Sequence, residues 1–151
     1  MEKKSELNKS LKPVGDEAFV SKQQRILLAE DDDEMRALLA QSLRKAGYEV
    51  IEYPDGTSLL DDIIYCFLLD KEEYGQIDLV ISDFRMPGGV SGMEILKRMH
   101  KKEGFPPMIL ITAFGDENIH AAAAQFGVAA MFDKPFDIND LVTKVREIIM
   151  S

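Results

Sequence analysis

The chain has 151 residues, of which 46% are hydrophobic, and this is enough for one compact domain with a buried core. Its 27 acidic residues outnumber its 18 basic ones, which gives a net charge of −9. Such an excess of negative charge argues against direct binding to nucleic acid or to an anionic membrane, because both are polyanionic surfaces.

The N-terminal region, residues 1–24, combines charged residues with Ser, Asn, Pro and Gly and has few large apolar side chains. We expect a disordered polar tail there, followed by one domain over residues 25–151, because such a segment buries too little surface to offset the entropy of ordering. The sequence contains neither a run of the roughly 20 apolar residues that cross a bilayer nor the apolar core of a signal peptide. Its single cysteine, Cys66, lies in an apolar run and is expected to be a buried thiol. These features predict a cytoplasmic protein without membrane insertion.

Five short apolar runs along the domain are predicted to be strands. They are RILLA, YEVIE, IDLVIS, MILIT and VAAMF, in chain order. The segments ILLA, DLVIS and MILIT lack the alternation of apolar and polar residues that marks a half-exposed strand. They are instead typical of strands that are covered on both faces in a parallel sheet.

A segment with helical spacing of apolar side chains follows each predicted strand. In the first, Met35, Leu38, Leu39 and Leu43 recur at helical spacing, and Gly47 marks the end of the helix near Ala46. The other four are predicted over Thr57–Leu69, Gly92–Lys102, Asp116–Phe126 and Asp137–Met150. This fivefold alternation of strand and helix predicts an α/β fold with a doubly wound parallel sheet and helices on both sides.

Polar side chains stand at the exits of four of the strands, where ligands bind in an open doubly wound sheet. An acidic run, residues 30–34, follows the first strand, Asp83 follows the third, Thr112 the fourth, and Lys134 with Pro135 the fifth. Carboxylates that converge from two strand ends repel one another unless a cation lies among them, and Mg²⁺ prefers such oxygen ligands.

These residues suit phosphoryl transfer, which needs a nucleophile, a divalent metal, fixed positive charge and a hydroxyl donor. Asp83, bound Mg²⁺ (or Mn²⁺), Lys134 and Thr112 are the candidates for these four parts.

Four segments resemble the signature segments of response-regulator receiver domains, the CheY-like family of two-component signal transduction. They are ILLAEDDDEMR, LVISDFRMPGG, ILITAFG and FDKPFD, in the family's order, and the resemblance extends from Arg25 to about Met150. It implies a flavodoxin-like (βα)5 fold with strand order 2-1-3-4-5. It also implies a phosphoprotein of a phosphorelay that turns over no external substrate and is therefore not an enzyme.

By this resemblance, Asp83 is the phospho-acceptor that forms an aspartyl phosphate. Glu30, Asp31 and Asp83, together with the backbone carbonyl of Arg85, would hold the Mg²⁺ ion. The phosphoryl donor would be a sensor histidine kinase or a phosphotransfer protein.

The resemblance also implies that Thr112 and Lys134 contact the phosphoryl group and that Pro135 holds the lysine loop through a cis peptide bond. Phosphorylation would act through the surface of the fourth helix, fifth strand and fifth helix. That surface would bind an unidentified downstream protein, and the chain would be a monomer or a weak homodimer through it.

Several positions depart from the family pattern. Glu30 stands where Asp is commoner, and the loop after Asp83 is one residue longer than usual. Met131 occupies the position of an aromatic switch residue, so Met131 and the neighbouring Phe132 are interpreted first as packing residues with a switch role as the alternative. The segment between Gly56 and Asp78 is also unusually long, which indicates an extended second helix or an insertion.

Other polar residues have simpler interpretations. Asp32, Asp33 and Glu34 are expected to stabilise a helix N-terminus through its dipole. His100 and His120 have no partner at metal-ligand spacing in the sequence and are expected to be surface residues without a metal or catalytic role.

The leading functional interpretation is a stand-alone receiver, because no effector segment follows the fifth helix. A receiver from a larger regulator, for example a transcriptional one, and a scaffold that does not switch are the alternatives. A haloacid-dehalogenase-type phosphohydrolase would use Asp31 and Asp33 as its DxD pair, but Met35 departs from that motif and the segment around Asp83 would be unexplained.

Overall fold

The computed structural model describes residues 23–69, 76–86, 88–113 and 115–151. Residues 1–22 of the predicted tail therefore lie outside the described residues. Five parallel strands make one sheet in the order β2-β1-β3-β4-β5. The strands are β1 (Arg25–Ala29), β2 (Glu49–Tyr53), β3 (Leu79–Asp83), β4 (Met108–Thr112) and β5 (Ala130–Asp133).

Helices cover both faces of this sheet. They are α1 (Asp33–Lys45), α2 (Gly56–Ile63), α3 (Gly92–Met99), α4 (Glu117–Gln125) and α5 (Ile138–Met150). One core cluster joins the sheet to α2, α3 and α4, and a second joins it to α1 and α5. The doubly wound α/β fold and its predicted strand order are confirmed.

The burial of each strand follows from its place in the sheet. Every residue of β3 and of β4 is buried, as expected from runs without apolar and polar alternation. The edge strands β2 and β5 contain partly exposed residues. The carboxyl ends of β3 and β4 are therefore enclosed by neighbouring strands and helices, so polar groups placed there lose contact with water.

Each of the α-helices α1 to α5 is preceded by a residue whose side chain accepts a hydrogen bond from a backbone N–H of the first turn. The caps are Asp32, Asp55, Ser91, Asp116 and Asp137. At α1, Asp32 is the cap, and Asp33 and Glu34 lie in the first turn. The interpretation of these three acids as helix-start residues is confirmed. Although they follow the end of β1, their position is explained by the start of α1.

Several predicted boundaries were wrong by a few residues. The second helix is regular only to Ile63 and continues as a π-helical turn over Ile64–Leu68, and residues 70–75 lie outside the described part of the chain. The third helix ends at Met99 rather than Lys102, shortly before Gly104 turns the chain with a φ of 86°. The fifth strand begins at Ala130 because the backbone N–H of Val128 still bonds back to Ala123 in α4. Among the described helices, none is both long and apolar enough to span a bilayer.

Candidate functional site

The carboxyl ends of β1, β3 and β5 bring three charged side chains into contact. The Lys134 ammonium lies 3.2 Å from Oε1 of Glu30 and 3.3 Å from Oδ1 of Asp83. Glu30 is only 1% exposed and Asp83 only 6% exposed. Lys134 thus forms one largely buried ionic cluster with two carboxylates that precede it in the sequence by 104 and 51 positions, as the order of the strands requires.

Both carboxylate oxygens of Glu30 have partners. Oε1 pairs with Lys134, and Oε2 accepts a hydrogen bond from the backbone N–H of Asp32 at 3.1 Å. The extra methylene of Glu30 relative to aspartate thus lets the carboxylate reach both the lysine and the turn that follows β1. Although glutamate stands here in place of the commoner aspartate, its carboxylate still lies in the cluster with Asp83 and Lys134.

Three carboxylates are close enough together to hold a metal ion. Glu30, Asp31 and Asp83 each offer an oxygen, and these oxygens lie within 4.8 Å of one another. Glu30 and Asp83 are buried, whereas Asp31 is exposed and opens the cluster to solvent. An all-oxygen set of this kind, accessible on one side, fits a hard divalent cation that keeps some of its waters.

Burial controls the acidity of the central carboxyl. The pKa of Asp83 is raised to about 7, because loss of hydration and, to a smaller extent, the negative charge of Glu30 together outweigh the opposing effect of Lys134. Burial on its own lowers the pKa of Lys134, but the charges of Asp83 and Glu30 outweigh it and leave that pKa raised. The lysine is therefore a fixed positive charge, while the carboxyl depends on added positive charge to stay ionised near neutral pH.

Backbone hydrogen bonds fix Thr112 and Lys134 at the same edge of the sheet. Asp83 pairs with Ile111 in the neighbouring strand, and the backbone N–H of Phe84 donates to the Ile111 carbonyl at 2.6 Å. The backbone N–H of Lys134 donates to the Thr112 carbonyl at 2.8 Å, and Thr112 is buried. The structure thus brings together the four strand ends that the sequence singled out.

The loop after Asp83 packs closely against the first residues of α3 and α2, which are Gly92 and Gly56. Neither glycine has room for a Cβ atom. A Cβ at Gly92 would collide with the Asp83 carbonyl oxygen and come within 2.8 Å of the Ser82 hydroxyl. A Cβ at Gly56 would collide with the Val90 carbonyl oxygen. These contacts hold the loop against α2 and α3 and so position the backbone beside the acceptor carboxylate.

Two further predicted residues, Arg85 and Pro135, lie in the loops that follow β3 and β5. Arg85 is exposed, and its guanidinium carbon is 6.0 Å from the centre of the Phe84 ring. The metal-binding role of its carbonyl stays a prediction. The bond between Lys134 and Pro135 is cis, as the resemblance implies.

Met131 and Phe132 are directed to opposite faces of β5. Met131 packs on the core cluster shared with α2, α3 and α4, whereas Phe132 packs on the cluster of α1 and α5 and lies 5.5 Å from the Phe136 ring. Both are partly buried packing residues. A switch role for either stays a prediction.

Sequence reasoning missed the partner of His120. Its Nε2 lies 3.0 Å from Oδ1 of Asp133, a contact that the spacing of residues in the sequence did not indicate. The two residues are 13 positions apart and meet only because α4 packs beside the end of β5. Gly115 lies against this pair, and a Cβ there would collide with the Asp133 carboxylate.

Sequence comparison identifies the protein family of the chain. The model of the response regulator receiver domain matches residues 26–146. The C4-dicarboxylate transport transcriptional regulatory protein DctD of Pseudomonas aeruginosa is 36% identical over 82% of this chain, but the match covers only 25% of that protein. Sporulation initiation phosphotransferase F of Bacillus subtilis is 32% identical over 82% of this chain and 92% of its own length.

Structure comparison agrees with the family match. A receiver domain protein (CheY-like) from Methanospirillum hungatei superposes with a TM-score of 0.72, at 25% identity, over 85% of this chain and 95% of that chain. The segments that match include every strand end described above. The chain therefore belongs to the family of response regulator receiver domains, which take part in two-component signalling.

Proposed function

We propose that this receiver domain accepts a phosphoryl group on Asp83 and signals by the conformational change that follows. The observation that carries this proposal is the buried Asp83 carboxylate, which lies between the Lys134 ammonium and the carboxylates of Glu30 and Asp31. A buried carboxylate beside fixed positive charge and metal-ligand oxygens is suited to attack phosphorus.

In the proposed reaction, one Asp83 oxygen attacks the phosphorus of a phosphohistidine on a histidine kinase or a phosphotransfer protein. The new P–O bond makes an acyl phosphate, the P–N bond breaks, and the imidazole leaves with a proton taken from solvent. Lys134 balances negative charge on the phosphoryl oxygens, and the Thr112 hydroxyl donates a hydrogen bond to one of them. Each of these groups already stands at the strand end from which it would act.

Glu30, Asp31 and Asp83 would hold Mg²⁺, with the carbonyl of Arg85 as a further ligand. The suitability of these residues for Mg²⁺ is supported by three carboxylate oxygens within 4.8 Å of one another and by the raised pKa of Asp83. When bound, Mg²⁺ (or Mn²⁺) supplies positive charge that favours the ionised acceptor and neutralises the transferred group. The protein would turn over no external substrate, because the phosphoryl group stays on its own side chain until it is hydrolysed.

The matched relatives support two versions of this function. The chain spans a quarter of the DctD regulator but corresponds to nearly the whole of sporulation phosphotransferase F. We propose the stand-alone version, in which phosphorylated receiver acts through an unidentified downstream protein at the surface of α4, β5 and α5. A receiver that belongs to a longer regulator is the second version, and the acceptor chemistry is the same in both.

The phosphohydrolase alternative is not supported. Its second aspartate, Asp33, is bonded to Arg36 and has an 85% exposed side chain, whereas the gathered carboxylates are those of Glu30, Asp31 and Asp83. The family match covers the same region of the chain.

The direct test is the intact mass of the protein after incubation with acetyl phosphate and Mg²⁺. We expect wild type to gain about 80 Da, the mass of one phosphoryl group, and Asp83→Asn to gain nothing. Asp61→Asn is the matched control, because it makes the same change at an exposed position of α2. Equal labelling of wild type and Asp83→Asn would contradict the proposal.

A further inference from the structure

Arg36, in the second turn of α1, connects three parts of the chain around the end of β1. Its Nη1 donates to the Glu30 carbonyl oxygen at 2.7 Å, and its Nη2 donates to the Asp33 carboxylate at 2.7 Å. Its Nε lies 3.5 Å from the carboxylate of Glu52 in β2. The Arg36 side chain is only 18% exposed, so its contacts with the Glu30 carbonyl and with Glu52 are partly shielded from water, whereas Asp33 is exposed.

The hydrogen bond to the Glu30 carbonyl links Arg36 through the backbone to the metal cluster, that is, the carboxylates of Glu30, Asp31 and Asp83. The Glu30 carbonyl belongs to the peptide group that links Glu30 to Asp31, the two acidic residues that follow β1. On its other side, the Glu30 backbone N–H donates to the Tyr53 carbonyl at 3.1 Å. Arg36 and Tyr53 thus hold the backbone on both sides of the Glu30 side chain, and a rotation of the Glu30–Asp31 peptide would move both carboxylates.

A second arginine on the same helix offers a comparison. Arg44 pairs with the same Glu52 carboxylate at 2.9 Å and also donates to the Val50 carbonyl at 2.9 Å. Neither contact reaches the residues that follow β1. The two arginines therefore share one acidic partner on β2 and differ in that Arg36 alone of the two bonds the Glu30 carbonyl.

We infer that Arg36 is a positioning residue for the metal cluster, which holds the Glu30–Asp31 peptide so that both carboxylates face Asp83. This inference rests on the proposed function, since it deepens the account of the same site. Residues that hold metal ligands in place commonly change metal affinity by one or two orders of magnitude when they are replaced. A guanidinium suits this task because its fixed fork can serve a carbonyl and two carboxylates at once, which a lysine ammonium cannot do in the same geometry.

The test compares Arg36→Gln with Arg44→Gln in the full chain. Mg²⁺ binding is followed through the backbone amide NMR signals of a ¹⁵N-labelled sample. We expect Arg36→Gln to raise the Mg²⁺ dissociation constant about tenfold and Arg44→Gln to change it by less than about twofold. Amide hydrogen exchange in Mg²⁺-free protein gives an independent readout, in which only Arg36→Gln speeds exchange at Glu30 and Asp32.

Arg36→Lys separates position from charge and also covers the case in which Arg36→Gln folds poorly. It keeps the positive charge but loses the fork, so we expect a dissociation constant close to that of Arg36→Gln. Full recovery of wild-type affinity by Arg36→Lys, or equal affinities for Arg36→Gln and Arg44→Gln, would overturn the inference.

Failure of the inference is distinguishable from failure of the proposed function. If wild type takes up the phosphoryl group while the two glutamine variants bind Mg²⁺ alike, only the role of Arg36 is wrong. If wild type binds Mg²⁺ but is never phosphorylated, the acceptor proposal fails, and the positioning role is still decided by the affinities.

Discussion

Two side-chain pairs at the same edge of the sheet have similar contact distances and different surroundings. Lys134 lies 3.3 Å from Asp83, with side chains 22% and 9% exposed. His120 lies 3.0 Å from Asp133, with side chains 40% and 52% exposed. Asp133 and Lys134 are neighbours in the sequence, so one step along the chain separates a largely buried ion pair from a largely exposed hydrogen-bonded pair.

The comparison shows that enclosure rather than distance distinguishes the two pairs. Charges that lie in water interact weakly, because the solvent screens them and hydrates each one separately. Around Asp83, buried strand ends remove that hydration and raise its pKa to about 7, so nearby positive charge favours the ionised carboxylate near neutral pH.

The largest effect concerns pH and Asp83. Its pKa is raised to about 7, so between about pH 4 and pH 7 the folded chain keeps a proton that the unfolded chain releases. The free energy of unfolding of Mg²⁺-free wild type should therefore fall as pH rises through this window. At pH 8, Asp83→Asn should be more stable than wild type by roughly 2–4 kcal/mol, since it carries no charge to bury.

Urea unfolding of both proteins at pH 5, 6, 7 and 8 measures this difference. The stability gap should narrow as pH falls, because wild type then gains its proton. A gap that is independent of pH would show that Asp83 titrates outside this range. Mg²⁺ should narrow the gap at pH 8 by stabilising wild type alone.

The second prediction removes the cation from the buried pair. Lys134→Met leaves the carboxylates of Glu30 and Asp83 facing each other without positive charge. We expect the free energy of unfolding to fall by roughly 1–3 kcal/mol at pH 8 and to recover in part with Mg²⁺ or at pH 5. Lys144→Met is the matched control, because Lys144 pairs with Glu147 in an exposed position and should change stability little.

The third prediction concerns the backbone beside the acceptor. Gly92→Ala would ordinarily stabilise a helix, but here the new methyl group would collide with the Asp83 carbonyl. We expect a loss of roughly 1–3 kcal/mol in thermal or urea unfolding, together with slower phosphoryl uptake from acetyl phosphate. A stabilised variant with wild-type uptake would mean that the loop after Asp83 yields easily.

The smallest change in stability is expected at the exposed pair of His120 and Asp133. His120→Ala should lower the free energy of unfolding by less than about 1 kcal/mol and leave phosphoryl uptake unchanged. Urea unfolding and the mass assay check both parts. A loss as large as that of Lys134→Met would remove the contrast on which the account depends.

Much of the fold and the site could be predicted because both depend on patterns that are local in the sequence. The apolar runs of β3 and β4 lack alternation, and each polar residue of the site stands at the end of a strand or just after it. The contacts of His120 and Arg36 were not predicted, because each depends on how a helix packs beside a distant strand. The end of α3 was also missed, since the polar residues between Met99 and Gly104 are compatible with a helix. The π-helical turn after α2 was missed because the apolar run continues through it.

The central claim is that Asp83 itself carries the phosphoryl group, and the most direct measurement locates the modification. Wild type is incubated with acetyl phosphate and Mg²⁺, reduced with borohydride, digested and mapped by mass spectrometry, since borohydride converts an aspartyl phosphate to homoserine. The account predicts homoserine at position 83 and at no other aspartate, with none formed when Mg²⁺ is removed. Homoserine at another position, or an unmodified Asp83 in protein that has gained the phosphoryl mass, would contradict it.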